Sequence, residues 1–390
     1  MFLKNGIRCD KIIKRAFKIY PKGKTMESYI NIDKNMIVNK TIGDVEVIWR
    51  DAREEPFELH GFCESDERYN FRRVPDEVAS ATSPGVAALS RESAGGRVRF
   101  STNSPYIAIR VKFRVVGRSP HLTLISSSGF DIYIDGEYGS RYLKEFRMPY
   151  DMVNTYEQIV KLDGEFMRSY TINFPVHAVV DALEIGLKPD SALSKTAYPY
   201  RDIKPVIFYG SSIVHGTAAT RPGNIYPAMI SRMLNVDFRN IGFSGQAKGE
   251  EVMAEWLASL PMSVFVCDYD HNAPTVEHLE STHHRFYEII REKNPDTPYI
   301  MVTKPDVWTM ITEQEVNLCR RDVIMESYLK ARAAGDKNVY FIDGLSFNVM
   351  PHQYEMSVDA CHPNDAGFIR MADSIGTIIR YALEKQFEKA

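Results

Sequence analysis

Five residues in the second half of this 390-residue chain are of the types that acyl transfer to water requires: Ser212, Gly245, Asn272, Asp359 and His362. Ser212 lies in the stretch Val206-Ile207-Phe208-Tyr209-Gly210-Ser211-Ser212-Ile213-Val214-His215-Gly216, where a short apolar run ends at a glycine and two hydroxyls follow. If that run is a buried strand and a helix opens next, Ser212 stands where free backbone N–H groups and the helix dipole converge, and anionic chemistry is favoured there. A serine nucleophile needs a base, and His362 supplies one. The base needs an orienting carboxylate. Asp359, three residues earlier, is within one turn and can bond the far ring nitrogen. The tetrahedral oxyanion needs fixed donors, for which the N–H groups of Ser212 and Gly245 and the amide of Asn272 are the candidates; losing one such donor typically costs about 3 to 4 kcal/mol. The order Ser, Asp, His is that of α/β-hydrolases, but the second glycine of G-x-S-x-G is missing and an Asp so near its His is a different arrangement.

Three further residues are candidates for touching substrate. His215 is one helical turn beyond Ser212 and is expected to line or cap the pocket rather than serve as the base. Arg221, in the loop Ala218-Ala219-Thr220-Arg221-Pro222-Gly223, is placed to meet an anionic or polyhydroxyl substrate, and His271 adjoins Asn272. Cys361, next to His362, reads as a buried structural cysteine rather than a thiol nucleophile. The spacing of His271, His278, His283 and His284 matches no compact ligand motif, so no metal and no cofactor are expected.

These residues fall at the ends of strand-like runs. After Pro205 the chain alternates between apolar β-rich segments at Val206–Tyr209, Phe238–Ile241, Val264–Cys267, Tyr299–Thr303 and Val339–Ile342 and helical stretches at Tyr226–Leu234, Glu250–Leu260, Thr275–Lys293, Glu313–Ala334 and Asp365 to about Lys385. Such alternation predicts a parallel sheet covered by helices on both faces, with ligands at the carboxyl ends of the strands. From about Thr25 to Pro189 the pattern is instead short alternating runs, among them Val45–Trp49, Arg97–Phe100, Ile107–Val111, Leu122–Ile125, Phe130–Ile134 and Ser169–Phe174, with no sustained helical period. An antiparallel, jelly-roll-like sandwich accounts for it. Trp49, Phe57, Arg72, Arg73 and Tyr133 are its candidate ligand-facing residues, although aromatic side chains in a sandwich are more often core. Three prolines and small polar residues between Lys188 and Pro205 mark a boundary. The expected layout is a basic segment over 1–24, a sandwich over 25–190, a linker over 191–204 and an α/β domain over 205–390.

Hydrophobic residues make up 44% of the chain and charged residues 25%, with a net charge of −3. This is globular composition without the basic field that would point to nucleic acid, and no apolar run is long enough to span a bilayer. The five cysteines, Cys9, Cys63, Cys267, Cys319 and Cys361, are scattered and form no C-x-x-C pair, against a disulfide framework or a structural zinc site. The first 24 residues carry eight Lys or Arg against one Asp but no signal-peptide core, so the chain as given reads as cytoplasmic. Ile12, Ile13, Phe17 and Ile19 would make that segment a surface anchor; a solvated tail is the simpler expectation.

Gly210, Ser212, Gly245, Asn272, Asp359 and His362, in this order and at these strand ends, resemble the blocks of the SGNH (GDSL-type) hydrolases over residues from about Lys204 onward. The resemblance implies a flavodoxin-like α/β domain with Ser212 as nucleophile, Gly245 and Asn272 as oxyanion donors, and Asp359 with His362 as charge-relay partners. Diffuse patterns such as Ala94-Gly95-Gly96-Arg97-Val98-Arg99-Phe100 resemble the β-sandwich of a two-domain branch of that family, which includes esterases that deacetylate carbohydrates. Two departures stand out: Ser211 replaces the aspartate of the Gly-Asp-Ser block, and Asp270 replaces a glycine two residues before Asn272. The resemblance implies a serine esterase for short acyl esters, with O-acetyl groups on a small-molecule or glycan substrate as the expected target. A lipid-directed esterase or lysophospholipase and a catalytically silent carbohydrate-binding protein are the alternatives. The oligomeric state is not legible.

Overall fold

The chain was described through a computed structural model, which covers residues 42–63, 71–305, 313–348 and 351–387. The basic amino-terminal segment lies outside the described residues. In the first half, β1 (Ile48–Asp51) and β2 (Glu58–His60) precede two short helices, α1 (Asp76–Thr82) and α2 (Pro84–Leu89). Then follow β3 (Arg97–Thr102), β4 (Tyr106–Val115), helix α3 (Leu124–Ser128), β5 (Phe130–Gly136), β6 (Gly139–Phe146), β7 (Thr155–Lys161), β8 (Arg168–Asn173), β9 (Val179–Leu187) and the two-residue β10 (Leu193–Ser194). Two antiparallel sheets result, one in the order β1-β9-β4-β7 and one in the order β10-β3-β8-β5-β6 with β2 joined to β3. Their inward residues, among them Val98, Phe100, Ile109, Phe130, Ile172 and Ile185, share one core.

The second half runs β11 (Val206–Gly210), α4 (Ser212–His215), α5 (Tyr226–Leu234), β12 (Phe238–Gly242), α6 (Glu251–Ser259), β13 (Val264–Asp268), α7 (Val276–Lys293), β14 (Tyr299–Val302), α8 (Gln314–Ala333), β15 (Val339–Ile342) and α9 (Asp365–Phe387). The five strands are parallel in the order β12-β11-β13-β14-β15, the flavodoxin-like arrangement. Alternate residues of β11 serve opposite faces. Ile207 and Tyr209 pack with Leu257 of α6, Phe286 of α7 and Ile324 of α8. Val206 and Phe208 pack with Ile230 of α5 and Phe368 and Ile375 of α9. Strands buried on both faces read as unbroken apolar runs, which is why this half is legible in the sequence. The chain leaves β11 for the edge strand β12 and then crosses back to β13, so strand order reverses beside β11 and a crevice opens at its carboxyl end.

Two readings of the first half need correction. Leu122–Ile125 is not a strand: Thr123 caps α3 there, its hydroxyl accepting the Ser126 N–H at 3.2 Å. The segment read as free of helix contains α1 and α2. Their signal was missed because each is under two turns long, and Ala79 and Val86 make their apolar contacts with the α/β core rather than with the sandwich.

All described residues fall in one compact unit, Lys40–Ala390. Buried arginines of the first half hold the second. Arg73, fully buried, donates to the carbonyls of Asn240 and Gly242 at 3.0 and 2.8 Å and to Glu92 O at 2.8 Å. Burial lowers its pKa to about 10, partly offset by the charge of Glu92. Arg97 pairs with Asp237, donates to Phe238 O at 3.2 Å and lies 4.0 Å over the Phe238 ring. Arg73 is therefore a carbonyl clamp and not a ligand-facing residue. Tyr133 and Phe57 are likewise buried.

Candidate active site

Gly210 ends β11 because nothing larger fits: an added Cβ would stand 1.9 Å from Asp268 O. Ser211 then caps α4, its hydroxyl accepting the Ile213 N–H at 3.2 Å. The residue that replaces the family's aspartate thus does a short polar side chain's usual work at a helix start. Ser212 is the first helical residue, almost fully buried, and its N–H has no partner among the described residues.

The loop after β15 presents Asp359-Ala360-Cys361-His362. Asp359 Oδ1 accepts the N–H groups of Cys361 and His362 at 3.1 and 2.7 Å, and Ala360 takes a φ of +63°, a conformation uncommon for a residue with a Cβ. This fold-back aims the ring. His362 Nδ1 lies 2.8 Å from Asp359 Oδ2, and His362 Nε2 lies 2.8 Å from Ser212 Oγ. Partial burial raises the Asp359 pKa, but hydrogen bonds from the His362 N–H and ring outweigh it, so the carboxyl stays below its ordinary range and ionised at neutral pH. An ionised Asp359 accepts from Nδ1–H, which leaves Nε2 to accept the Ser212 proton.

Two more loops flank the serine. After β12, Phe243 O accepts the Gln246 N–H at 3.0 Å, closing a turn with Gly245 at φ +70°. The Gly245 N–H has no partner among the described residues, and the glycine is exposed. After β13, the 3₁₀ turn Asp270–Asn272 brings the Asn272 amide to Phe243 O at 2.8 Å, so both loops share one carbonyl. Asp270, where the family pattern has glycine, is buried and accepts the Lys304 N–H at 3.0 Å; Asp270 O takes Arg320 Nη1 at 2.8 Å. The Asp270 side chain ties the Asn272 turn to the segment after β14, and the main-chain carbonyl of the same residue ties it to Arg320 of α8.

The other candidates divide. His271 stands at the site, its Nδ1 3.8 Å from Cys361 Sγ. Cys361 is half-buried there, not part of the core. His215 does not line the pocket: it is fully buried because α4 turns it under the sheet end, against Val176 O at 3.0 Å and Glu92 Oε2 at 3.0 Å. Arg221 does not face the site either. It pairs with Asp131 at 3.0 Å, bonds the Tyr133 hydroxyl and lies 3.9 Å over the Tyr142 ring. Asp131 also accepts the Gly223 N–H at 2.9 Å, so β5 clamps the loop that follows α4. Of the remaining histidines, His278 bonds Lys248 O at 2.8 Å, His283 is buried against the Tyr269 ring and His284 faces Glu288.

Sequence reasoning missed a buried network behind the site. Glu92 Oε2 takes both His177 Nδ1 at 3.2 Å and His215 Nε2 at 3.0 Å; on their far sides His177 meets Thr217 Oγ at 3.0 Å and His215 meets Ser244 Oγ at 3.1 Å. Burial raises the Glu92 pKa, but the two imidazoles outweigh it and hold the carboxyl far below its ordinary range. With Glu92 ionised, both rings donate to it and accept from the hydroxyls. Ser244 precedes Gly245, so a residue of the first half steadies the loop that carries a candidate oxyanion donor. Glu92, His177 and His215 bring three ligand-type atoms within 4.8 Å, as do His121, Asp359 and His362. In the first group the bonds just described already engage the inward-facing nitrogens, and in the second Asp359 already engages His362 Nδ1.

Burial lowers the His215 pKa from 6.5 to about 4, with Arg73 acting in the same direction and Glu92 against it. A histidine kept neutral in the fold but free to protonate when unfolded contributes stability above pH 6.5 that is lost as pH falls toward 4, about 3 kcal/mol for that difference. Unfolding midpoints measured from pH 7.5 to 4.5 should therefore drop, and His215→Gln should flatten that dependence while lowering the midpoint at pH 7.5. An equally steep profile in the variant would assign the acid sensitivity elsewhere.

The sheet order and the groups gathered at its switch point define the class: a flavodoxin-like α/β hydrolase of the SGNH type behind a β-sandwich. Residues 203–380 match the model of the GDSL-like lipase/acylhydrolase family, and residues 47–193 match the N-terminus of SGNH-hydrolase-type esterases. The chain belongs to this family of ester-bond hydrolases. No curated protein sequence matches it. Among solved structures, a Bacteroides ovatus ATCC 8483 protein classed as a GDSL-like lipase is 29% identical, with a TM-score of 0.79 over 87% of this chain and 98% of that one. A salicylyl-acyltransferase from a tetracycline biosynthetic pathway is 20% identical, with a TM-score of 0.69 over 84% and 95%. A family two carbohydrate esterase from Clostridium thermocellum is 17% identical, with a TM-score of 0.54 over 75% and 93%, and shares the fold.

Proposed function

We propose that the protein is a serine esterase that removes short acyl groups, acetyl above all, from hydroxylated substrates of the carbohydrate type. The observation that carries this reading is the continuous chain from Asp359 through His362 to Ser212, with both hydrogen bonds at 2.8 Å. Ser212 attacks the ester carbonyl as His362 takes its proton, and Asp359 stabilises the imidazolium. The oxyanion forms facing the N–H groups of Ser212 and Gly245 and the Asn272 amide. His362 then protonates the departing alcohol, and a water activated by the same ring releases the acid.

Support for acetyl as the acyl group, and for a carbohydrate as the alcohol, comes from proteins of like fold, among them family two carbohydrate esterases and an acetyl xylan esterase. Rates on 4-nitrophenyl acetate, butyrate and octanoate, together with acetate release from an acetylated sugar, test it. Preference for acetate with release from the sugar supports the proposal; preference for octanoate overturns the short-acyl reading in favour of a lipid-directed esterase.

Asn272→Ala is expected to lower kcat on the acetate ester about 100-fold with little change in KM, as loss of a preorganised oxyanion donor does. A change confined to KM would remove Asn272 from that role.

A further inference from the structure

His121 belongs to the connection between β4 and β5, in the first half of the chain, yet its ring lies 6.2 Å from the ring of His362. One of its ring nitrogens is within 4.8 Å of a His362 ring nitrogen and an Asp359 carboxylate oxygen. The side chain is exposed, so it stands at the mouth of the site and not in its floor. Its connection is held at several points. Thr123 Oγ donates to Thr220 O at 2.6 Å, Thr220 N donates to Asp365 at 2.8 Å, Ser128 Oγ donates to Gly117 O at 2.9 Å, and Arg118 bonds the carbonyl of Met152. The imidazole is oriented as well, with Nδ1 3.0 Å from Ser119 Oγ, which leaves Nε2 without a hydrogen bond among the described residues.

The position decides which part of a substrate it meets. His362 Nε2 must reach both Ser212 Oγ and the departing oxygen, so the alcohol attached to that oxygen passes over the edge of the His362 ring. His121 flanks the same ring on the side of Asp359, within reach of a second hydroxyl on that alcohol, whereas the oxyanion donors of Gly245 and Asn272 come from other loops, after β12 and β13.

We propose that His121 is a specificity residue of this esterase, binding the alcohol side of the ester through a hydrogen bond from Nε2 to a hydroxyl neighbouring the acylated one. The inference rests on the esterase reading above and deepens it: the sandwich half completes the site, and the alcohol it selects is a polyol. An ester whose alcohol has no second hydroxyl gains nothing from His121.

The test compares 4-nitrophenyl acetate with methyl 6-O-acetyl-β-D-glucopyranoside, for the wild type, His121→Ala, His121→Gln and Ser212→Ala. In His121→Ala, kcat/KM on the sugar ester should fall about 3- to 10-fold, mostly through KM, while the nitrophenyl ester changes less than twofold. His121→Gln, which retains a donor, should recover part of the loss on the sugar ester. Equal losses on both esters would show that His121 only steadies His362, and no loss on either would remove it from the site; both overturn the proposal while leaving the esterase intact. If the wild type cleaves the nitrophenyl ester through Ser212 and not the sugar ester, the carbohydrate reading and this inference fall together. Activity persisting in Ser212→Ala identifies failure of the mechanism itself.

Discussion

Ser212→Ala is expected to lower kcat/KM on the acetate ester by about 10⁴-fold or more, the largest effect of any single substitution here. At 1.36 kcal/mol per factor of ten, that is about 5.5 kcal/mol or more of lost transition-state stabilisation. Removing the nucleophile eliminates the acyl-enzyme route, and what remains is the rate that binding and the oxyanion donors lend to direct attack by water. The fold should tolerate the change. Among the described residues the Ser212 hydroxyl has one hydrogen-bond partner, His362 Nε2, while Ser211 holds the helix start. A variant that unfolds several degrees earlier would confound the comparison, so its melting temperature is measured beside its rate.

Asp359→Asn is expected to lower kcat about 10³-fold. An asparagine presents either an amide N–H₂ or a carbonyl to His362 Nδ1. If the N–H₂ faces the ring, the imidazole proton must sit on Nε2, where it blocks proton transfer from Ser212. A deeply buried orienting carboxylate is worth about 10⁴-fold in the best-studied triad. The Asp359 side chain is 35% exposed, so water can partly replace it and the expected loss is smaller. The turn itself should survive, because a side-chain carbonyl oxygen can still accept the N–H groups of Cys361 and His362 now bonded to Asp359 Oδ1. A kcat within threefold of wild type would mean that Asp359 organises the loop and has little part in the chemistry.

The α/β half could be read from the sequence almost to the residue because local pattern and tertiary role coincide there. The run Val339–Ile342 and the helix Tyr226–Leu234 have the expected bounds, and the residues that break the apolar runs lie at the strand ends where a parallel sheet places its ligands. What escaped is contact across the two halves. Glu92, His177 and His121 look like solvated residues of a β-rich region, since their partners in the second half lie from 40 to more than 200 positions away. Arg221 shows the converse: a loop arginine promises solvent or substrate, but Asp131 and Tyr133, 90 and 88 residues earlier, claim it. Short helices with their apolar side turned to a distant sheet fail for the same reason, as α1 and α2 do. Periodicity reports which face of an element is apolar and says nothing of which element will cover it.

The central claim is that Ser212 carries the acyl group. Incubating the protein with an organophosphonate that traps serine nucleophiles, then locating the adduct by peptide mass spectrometry, tests this most directly. A single adduct on Ser212, formed in step with loss of esterase activity and absent after His362→Ala, is the expected result. Full inactivation with the adduct on another residue, or esterase activity retained when Ser212 is fully labelled, would contradict the account.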